Sequence, residues 1–191
     1  MTQPEVWLIR HGETEWSRSG RHTGRTDIAL TAAGRDAARS LAHALAGERF
    51  STVLTSPLSR ARETCDLAGL GDRAEPVDEL REWDYGDYEG RTTPEIRADR
   101  DAWTVWRDGC PGGETAAEVG ARADRVVERL LTETGPVAVF GHGHALRVLA
   151  ARWVGLPPEA GALLALATAA LSRLGWEREQ RVVDRWNLPA G

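Results

Sequence analysis

Arg10-His11-Gly12-Glu13-Thr14 stands directly behind the apolar run Val6-Trp7-Leu8-Ile9. The run reads as a short buried strand. Arg10 and His11 then sit at a strand's carboxyl end, where open α/β sheets place their ligands. A guanidinium beside an imidazole suits an anion and a nucleophile that attacks it, and Gly12 lets the backbone come close to what is bound. Three further stretches could complete such a site. Ser56-Pro57-Leu58-Ser59-Arg60-Ala61-Arg62 offers two arginines near the start of a helix, where free N–H groups favour anions. Glu79, Glu82, Asp84 and Asp87 offer carboxyl groups for proton transfer. Phe140-Gly141-His142-Gly143-His144 follows another apolar run, Val137-Ala138-Val139, and again sets a histidine behind a strand. Positively charged groups around a nucleophile are what phosphoryl transfer needs. His142 and His144 also have the spacing of a metal pair, but no third ligand lies at a matching distance in the chain.

The elements that must position these groups alternate between strand and helix. Residues 15 to 30 read as a loop. Thr31 starts a helix with Ala37, Ala38, Leu41, Ala42 and Leu45 on one face. Thr52 to Thr55 is a strand, after which Ser56 is expected to cap a helix that has Pro57 at its first position. One or two short helices fall within residues 92 to 107 and hold Trp103 and Trp106, which serve the core or a pocket wall equally well. Thr115-Ala116-Ala117-Glu118 is a capping box, followed by the stripe Val119, Ala123, Val126, Val127 and Leu130. Pro136 to Phe140 is a strand, and Ala145 to Val154 a helix. Two tail strands, Ala169 to Trp176 and Arg181 to Trp186, turn at Glu177 to Gln180. Such alternation implies a mainly parallel sheet covered on both faces, with an antiparallel element from the tail hairpin.

Composition narrows the chemistry. The 191 residues fit one domain, and 41% hydrophobic with 28% charged residues is ordinary for a globular protein. A net charge of -5 argues against nucleic acid as partner. All 24 basic residues are arginine, so P-loop, Schiff-base and Ser-Lys chemistry are excluded. Neither Cys65 nor Cys110 begins a Cys-x5-Arg loop, and no Gly-x-Ser-x-Gly elbow is present. Two cysteines make no disulfide framework, and no signal or membrane-spanning pattern appears, so a cytoplasmic place with free thiols is expected and no membrane partner.

With Arg10-His11-Gly12, Ser56 to Ala61, Leu80 to Gly86 and Phe140 to His144 in this order, the chain resembles the histidine phosphatase superfamily, also called phosphoglycerate-mutase-like. Arg21 to Asp27, Leu80 to Gly90, Trp106 to Cys110 and Gly141 to Arg147 are similar to a branch holding sedoheptulose-1,7-bisphosphatase and broad-specificity bacterial acid phosphatases. The resemblance implies one domain over residues 1–191, a three-layer α/β/α sandwich with a mainly parallel sheet and one antiparallel edge strand. It selects Arg60 over Arg62, and Glu82 among its acidic neighbours.

By that resemblance His11 forms a phosphohistidine, with its other ring nitrogen donating to a backbone carbonyl. Arg10, Arg60 and a protonated His142 hold the phosphoryl oxygens. Glu82 is the general acid and then the base. Glu13, Ser17, Thr23, Gly24 and the backbone near Gly143 add contacts to substrate or phosphate, and His144 stands behind them. The implied activity is metal-independent, cofactor-free hydrolysis of small phosphorylated metabolites such as sugar phosphates. The mutases of the family carry asparagine where Ser17 stands, and basic insertions that this chain lacks. Two rivals are a cofactor-dependent phosphoglycerate mutase and a catalytically weak module that binds phosphometabolites.

Overall fold

Val6, Leu8 and Ile9 are fully buried because β1 (Val6–Arg10) lies inside a six-stranded sheet. The computed structural model describes residues 3–189. The other strands are β2 (Thr52–Thr55), β3 (Ala74–Pro76), β4 (Val137–Gly141), β5 (Leu171–Glu177) and β6 (Gln180–Leu188), in the order β3-β2-β4-β1-β5-β6. Strand β4, late in the chain, inserts between β1 and β2 and runs parallel to both. Its five residues are all buried, as expected for a strand covered on both faces.

Seven helices are described: α1 (Glu15–Ser19), α2 (Ala32–Leu45), α3 (Ser59–Leu67), α4 (Thr93–Asp99), α5 (Val105–Asp108), α6 (Ala116–Leu130) and α7 (Gly143–Trp153). Side chains alternate across the strands. Val6, Leu8, Leu54, Val137 and Val139 join one cluster with α6 and α7, while Ile9, Val53, Ala138 and Phe140 join another with α2 and α3. Helices thus cover both faces, in three layers. The α6 stripe of Val119, Ala123, Val126, Val127 and Leu130 is buried, behind the Thr115–Glu118 capping box.

The tail hairpin sits beyond β1. β5 runs antiparallel to β1, and the edge strand β6 pairs antiparallel with β5. The antiparallel part is therefore two strands deep, with the edge strand hung on an inner antiparallel one.

Two local expectations are corrected. Residues 15 to 30 are not all loop, because Thr14 and Ser17 form a capping box that starts α1, and Gly20 at φ 73° ends it. The box has serine where glutamate or glutamine is usual. Ser56 does not cap α3: Leu58 holds that position without a side-chain cap, and the Ser56 hydroxyl turns to His142.

The turn behind β1 packs directly on α2. A Cβ on Gly34 would lie 2.2 Å from the Glu13 carbonyl oxygen, a backbone atom. In a helix Gly→Ala ordinarily stabilises by about 1 kcal/mol. Here we expect Gly34→Ala to cost about 1–3 kcal/mol, the range of overpacking. Urea denaturation measures the sign, and a gain in stability is the contrary outcome.

Candidate active site

Three neighbouring strands end together. His11 follows β1, His142 follows β4 and Ser56 follows β2. The His11 N–H donates to the Gly141 carbonyl at 3.0 Å, and the Ser56 N–H to the Phe140 carbonyl at 2.9 Å. Lateral backbone bonds thus set the three side chains side by side. The His11 and His142 rings lie 5.2 Å apart between centroids, tilted by 58°.

His11 is 5% exposed, and its Nδ1 lies 2.7 Å from the Gly12 carbonyl. A carbonyl only accepts, so Nδ1 carries the proton. Burial, and then the Arg10 and Arg60 charges, push the imidazole well below its ordinary pKa, against the opposing effect of the Gly12 bond. The ring is neutral, and Nε2 keeps its lone pair.

His142 differs from the sequence expectation. Its Nδ1 accepts from Arg60 Nε at 3.2 Å, and its Nε2 lies 2.7 Å from Ser56 Oγ. Guanidinium only donates, so the ring proton is on Nε2 and points to Ser56. Burial first, then Arg60, His11 and Arg10, hold His142 well below the usual histidine pKa. The expected protonated His142 is therefore neutral in the free site, because two cations are already buried beside it.

Arg60 is fully buried, whereas Arg62 is exposed. Besides His142, Arg60 donates to the carbonyls of Thr23, Gly24 and Thr26, each at 3.0 Å. In this state it ties the segment 23–26 to the histidine. Arg10 donates from Nη1 to the Leu166 carbonyl at 2.5 Å. Among the described residues, Arg10 Nε is the buried side-chain polar atom with no hydrogen-bond partner. An unpaired donor on a buried cation is costly unless an anion arrives. The guanidinium lies against Gly143, where an added Cβ would come within 3.3 Å of Arg10 Nε.

Glu82 reaches the same place from the opposite wall. Its Oε1 accepts the N–H groups of Trp83 at 2.9 Å and Ala145 at 2.8 Å, and its Oε2 accepts that of His144 at 3.0 Å. The carboxylate thereby serves the open N-terminus of α7, whose N-cap residue His142 supplies no side-chain cap.

A cavity of about 180 Å³ brings together Arg10, His11, Ser17, Thr23, Glu82 and Gly143. It also has walls from Arg21, His22, Tyr85, His144, Arg147 and Leu166, which the sequence reading did not place at the substrate. His144 and Arg147 stand one helical turn apart on α7, a spacing that could have announced both. Burial pulls His22 down to about 4 and holds His144 well below the usual range, so both are neutral. Tyr85 shares a 2.6 Å hydrogen bond with His144 Nδ1.

Four expected contacts do not line the cavity: Arg60 and His142, which are tied to each other behind it, and Glu13 and Gly24. The Glu13 carboxylate accepts from the Thr31 hydroxyl at 2.8 Å, at the N-cap of α2. The Gly24 N–H donates to Glu89 Oε1 at 2.8 Å, so it does not face a ligand. The Ser17 hydroxyl lines the cavity while serving the Thr14 capping box. Trp83 and Trp103 are core residues, and Trp106 lies 4.6 Å under the Arg147 guanidinium. Both cysteines are buried free thiols pushed up to about 12 by burial.

A parallel α/β sheet with a basic, histidine-lined pocket at its strand ends defines a protein built to handle a phosphoryl group. The chain belongs to the histidine phosphatase superfamily, whose branch 1 model matches residues 6–189. An acid phosphatase of Mycobacterium tuberculosis is 45% identical over 179 residues, spanning 91% of this chain and 87% of the relative. The sedoheptulose 1,7-bisphosphatase of Saccharomyces cerevisiae is 38% identical over 185 residues, spanning 80% of this chain and 68% of the relative. The solved structure of an open-reading-frame product from Mycobacterium tuberculosis superposes with a TM-score of 0.94 at 40% identity, covering 98% of each chain.

The neutral histidines predict how stability responds to acid. His22 titrates at about 4 in the fold and near 6.5 when unfolded. Between those values the unfolded chain binds a proton that the folded chain refuses, so stability falls as pH falls through that window. We expect His22→Asn to flatten the pH dependence between about 6.5 and 4 by up to one proton, ~1.4 kcal/mol per pH unit. Urea unfolding in phosphate-free buffer reads it, and an unchanged slope contradicts the assignment.

Proposed function

We propose that this chain hydrolyses phosphomonoesters of small metabolites, sugar phosphates foremost, through a phosphohistidine on His11. The observation that carries this reading is the pinned tautomer of His11. Its Nδ1–H is held by Gly12, and its ring shares a cavity with the Arg10 guanidinium, whose Nε has no hydrogen-bond partner. Nε2 attacks phosphorus, the P–O ester bond breaks, and the leaving oxygen takes a proton from Glu82. Glu82 then removes a proton from water as that water attacks. The P–N bond breaks and inorganic phosphate leaves.

Arg10 meets the phosphoryl oxygens directly, and Arg60 stands behind it as a buried positive charge with the neutral His142 between it and Ser56. The neutralising charge comes from guanidinium groups, so the reaction as drawn asks nothing of a divalent ion or other cofactor. His22, Tyr85, His144, Arg21 and Arg147 give the leaving-group side hydrogen-bonding walls suited to a polyhydroxylated metabolite. The two relatives above bear the names of phosphatases, which supports hydrolysis. Ser17, engaged in the Thr14 box, gives no new hold for a second phosphate, which favours hydrolysis over the mutase reading. A binding module needs neither the free Nε2 nor Glu82. Both cysteines are free, which supports a reducing compartment, the cytoplasm. No described helix is long and apolar enough to cross a membrane.

His11→Ala should abolish turnover and leave the fold intact, because the ring is in a loop behind the strand. Acid-labile phosphate trapped on the native chain and absent from the variant is the expected result. Substantial activity in His11→Ala overturns the covalent step. Glu82→Gln should slow phosphohistidine formation from an alkyl phosphate far more than from p-nitrophenyl phosphate. General-acid help is worth about 10²- to 10⁴-fold, and a nitrophenolate needs little of it. Equal slowing of both substrates would give Glu82 another role.

A further inference from the structure

Glu82 lies on a segment without regular strand or helix of its own, between a 3-10 turn at Asp78–Leu80 and another at Gly86–Tyr88. A proton donor must be held in place to be useful. The backbone on either side of Glu82 is gripped by Arg122 of α6 and by Glu114, just before that helix. Arg122, buried on α6, donates from Nη1 to the carbonyls of Glu79 and Arg81, each at 2.7 Å. The same guanidinium forks onto Glu114, with Nε to Oε1 at 2.9 Å and Nη2 to Oε2 at 3.1 Å.

Glu114 grips the other side of Glu82. Its Oε2 accepts the Asp84 N–H at 2.9 Å, and its backbone N–H donates to the Asp84 carbonyl at 2.8 Å. Its carbonyl accepts the Trp83 indole N–H at 2.8 Å. The residues before and after Glu82 are thus bound to one ion pair. Glu114 directly precedes the Thr115 N-cap and Arg122 lies in the second turn of the same helix, so α6 and its lead-in carry the whole fixture. A second cavity, of about 140 Å³, is bounded by Arg122, Glu114 and Glu82 together with Arg25, Leu58 and Asp84, so the pair and the carboxyl group share a wall that is not filled solid.

We propose that the Arg122–Glu114 pair is the positioning device for the proton donor. It acts on catalysis through the backbone at residues 79, 81 and 84 and does not touch substrate. Arginine is required at 122, because only its planar fork serves two carbonyls and both carboxylate oxygens together. The proposal rests on the reading of Glu82 as the general acid.

The test uses the full chain and the first chemical step, phosphohistidine formation, with p-nitrophenyl phosphate and with an alkyl phosphate. Variants are Arg122→Met, Arg122→Lys, Glu114→Gln and Glu82→Gln, with circular dichroism and thermal unfolding run on each. A donor displaced by an ångström loses on the order of 10²-fold, and that loss should fall on the alkyl substrate alone. We expect Arg122→Met and Glu114→Gln to slow the alkyl phosphate selectively and Arg122→Lys to restore part of the rate. In the Glu82→Gln background, Arg122→Met should leave the alkyl-to-aryl ratio unchanged.

A lowered stability that slows both substrates equally is the signature of a purely structural pair and overturns the proposal. If Arg122→Met does not fold, Glu114→Gln decides, because it keeps the bulk but removes the charge and leaves one accepting oxygen for the three N–H donors that the two carboxylate oxygens now serve. Selective slowing in Glu82→Gln without any in the clamp variants refutes the clamp alone. No selectivity in Glu82→Gln refutes the acid reading, and the clamp with it.

Discussion

Buried positive charge governs this site. Arg10 and Arg60 are out of water; Glu82 opposes both of them, and Asp27, 3.8 Å from Arg60, opposes the second. The imbalance leaves Arg10 Nε with no partner and depresses His11 and His142, whose largest cause is burial and whose next causes are those guanidiniums. One arrangement therefore produces two properties together. The His11 imidazole is kept unprotonated, as the proposed nucleophile must be, and the place in front of it favours an incoming anion. A site balanced by more carboxylates would be cheaper to fold and would free both histidines to take up protons.

Topology delivers the groups that make this charge. Because β4 is inserted between β1 and β2, the residues following three strands become neighbours although they lie at positions 11, 56 and 142. The parallel register places Arg10 opposite Gly141, so the histidines that come next must stand side by side. Strand alternation then sends the Arg10 side chain to the face that α7 covers, the face of Val6 and Leu8. Gly143 belongs to the same geometry, since a side chain there would press on the Arg10 guanidinium.

The legible part of the sequence was whatever local pattern encodes. The apolar runs before His11 and His142, the Thr115–Glu118 box and the α6 stripe are contiguous signals, and each appears in the fold where the pattern puts it. Long-range partnerships were not legible. Ser56-Pro57 looks like a helix start, yet the hydroxyl is taken by a histidine 86 residues away. Gly24 looks like a phosphate contact, yet its N–H is taken by Glu89. The neutral state of His142 depends on its burial and on the cations beside it, which no spacing reveals. The Arg122–Glu114 pair has no sequence signature, because its partners near Glu82 are backbone carbonyls and N–H groups.

Glu82 joins proton transfer to the architecture. It receives the N–H groups at the start of α7, where His142 gives no cap of its own, so one carboxylate fixes the helix that presents Gly143 and His144 to the cavity. Three backbone N–H groups, those of Trp83, His144 and Ala145, converge on this one carboxyl group. Under the proposed mechanism the group that donates the proton is thus the group the start of α7 is built around, so its position is set by the fold and not by a mobile side chain.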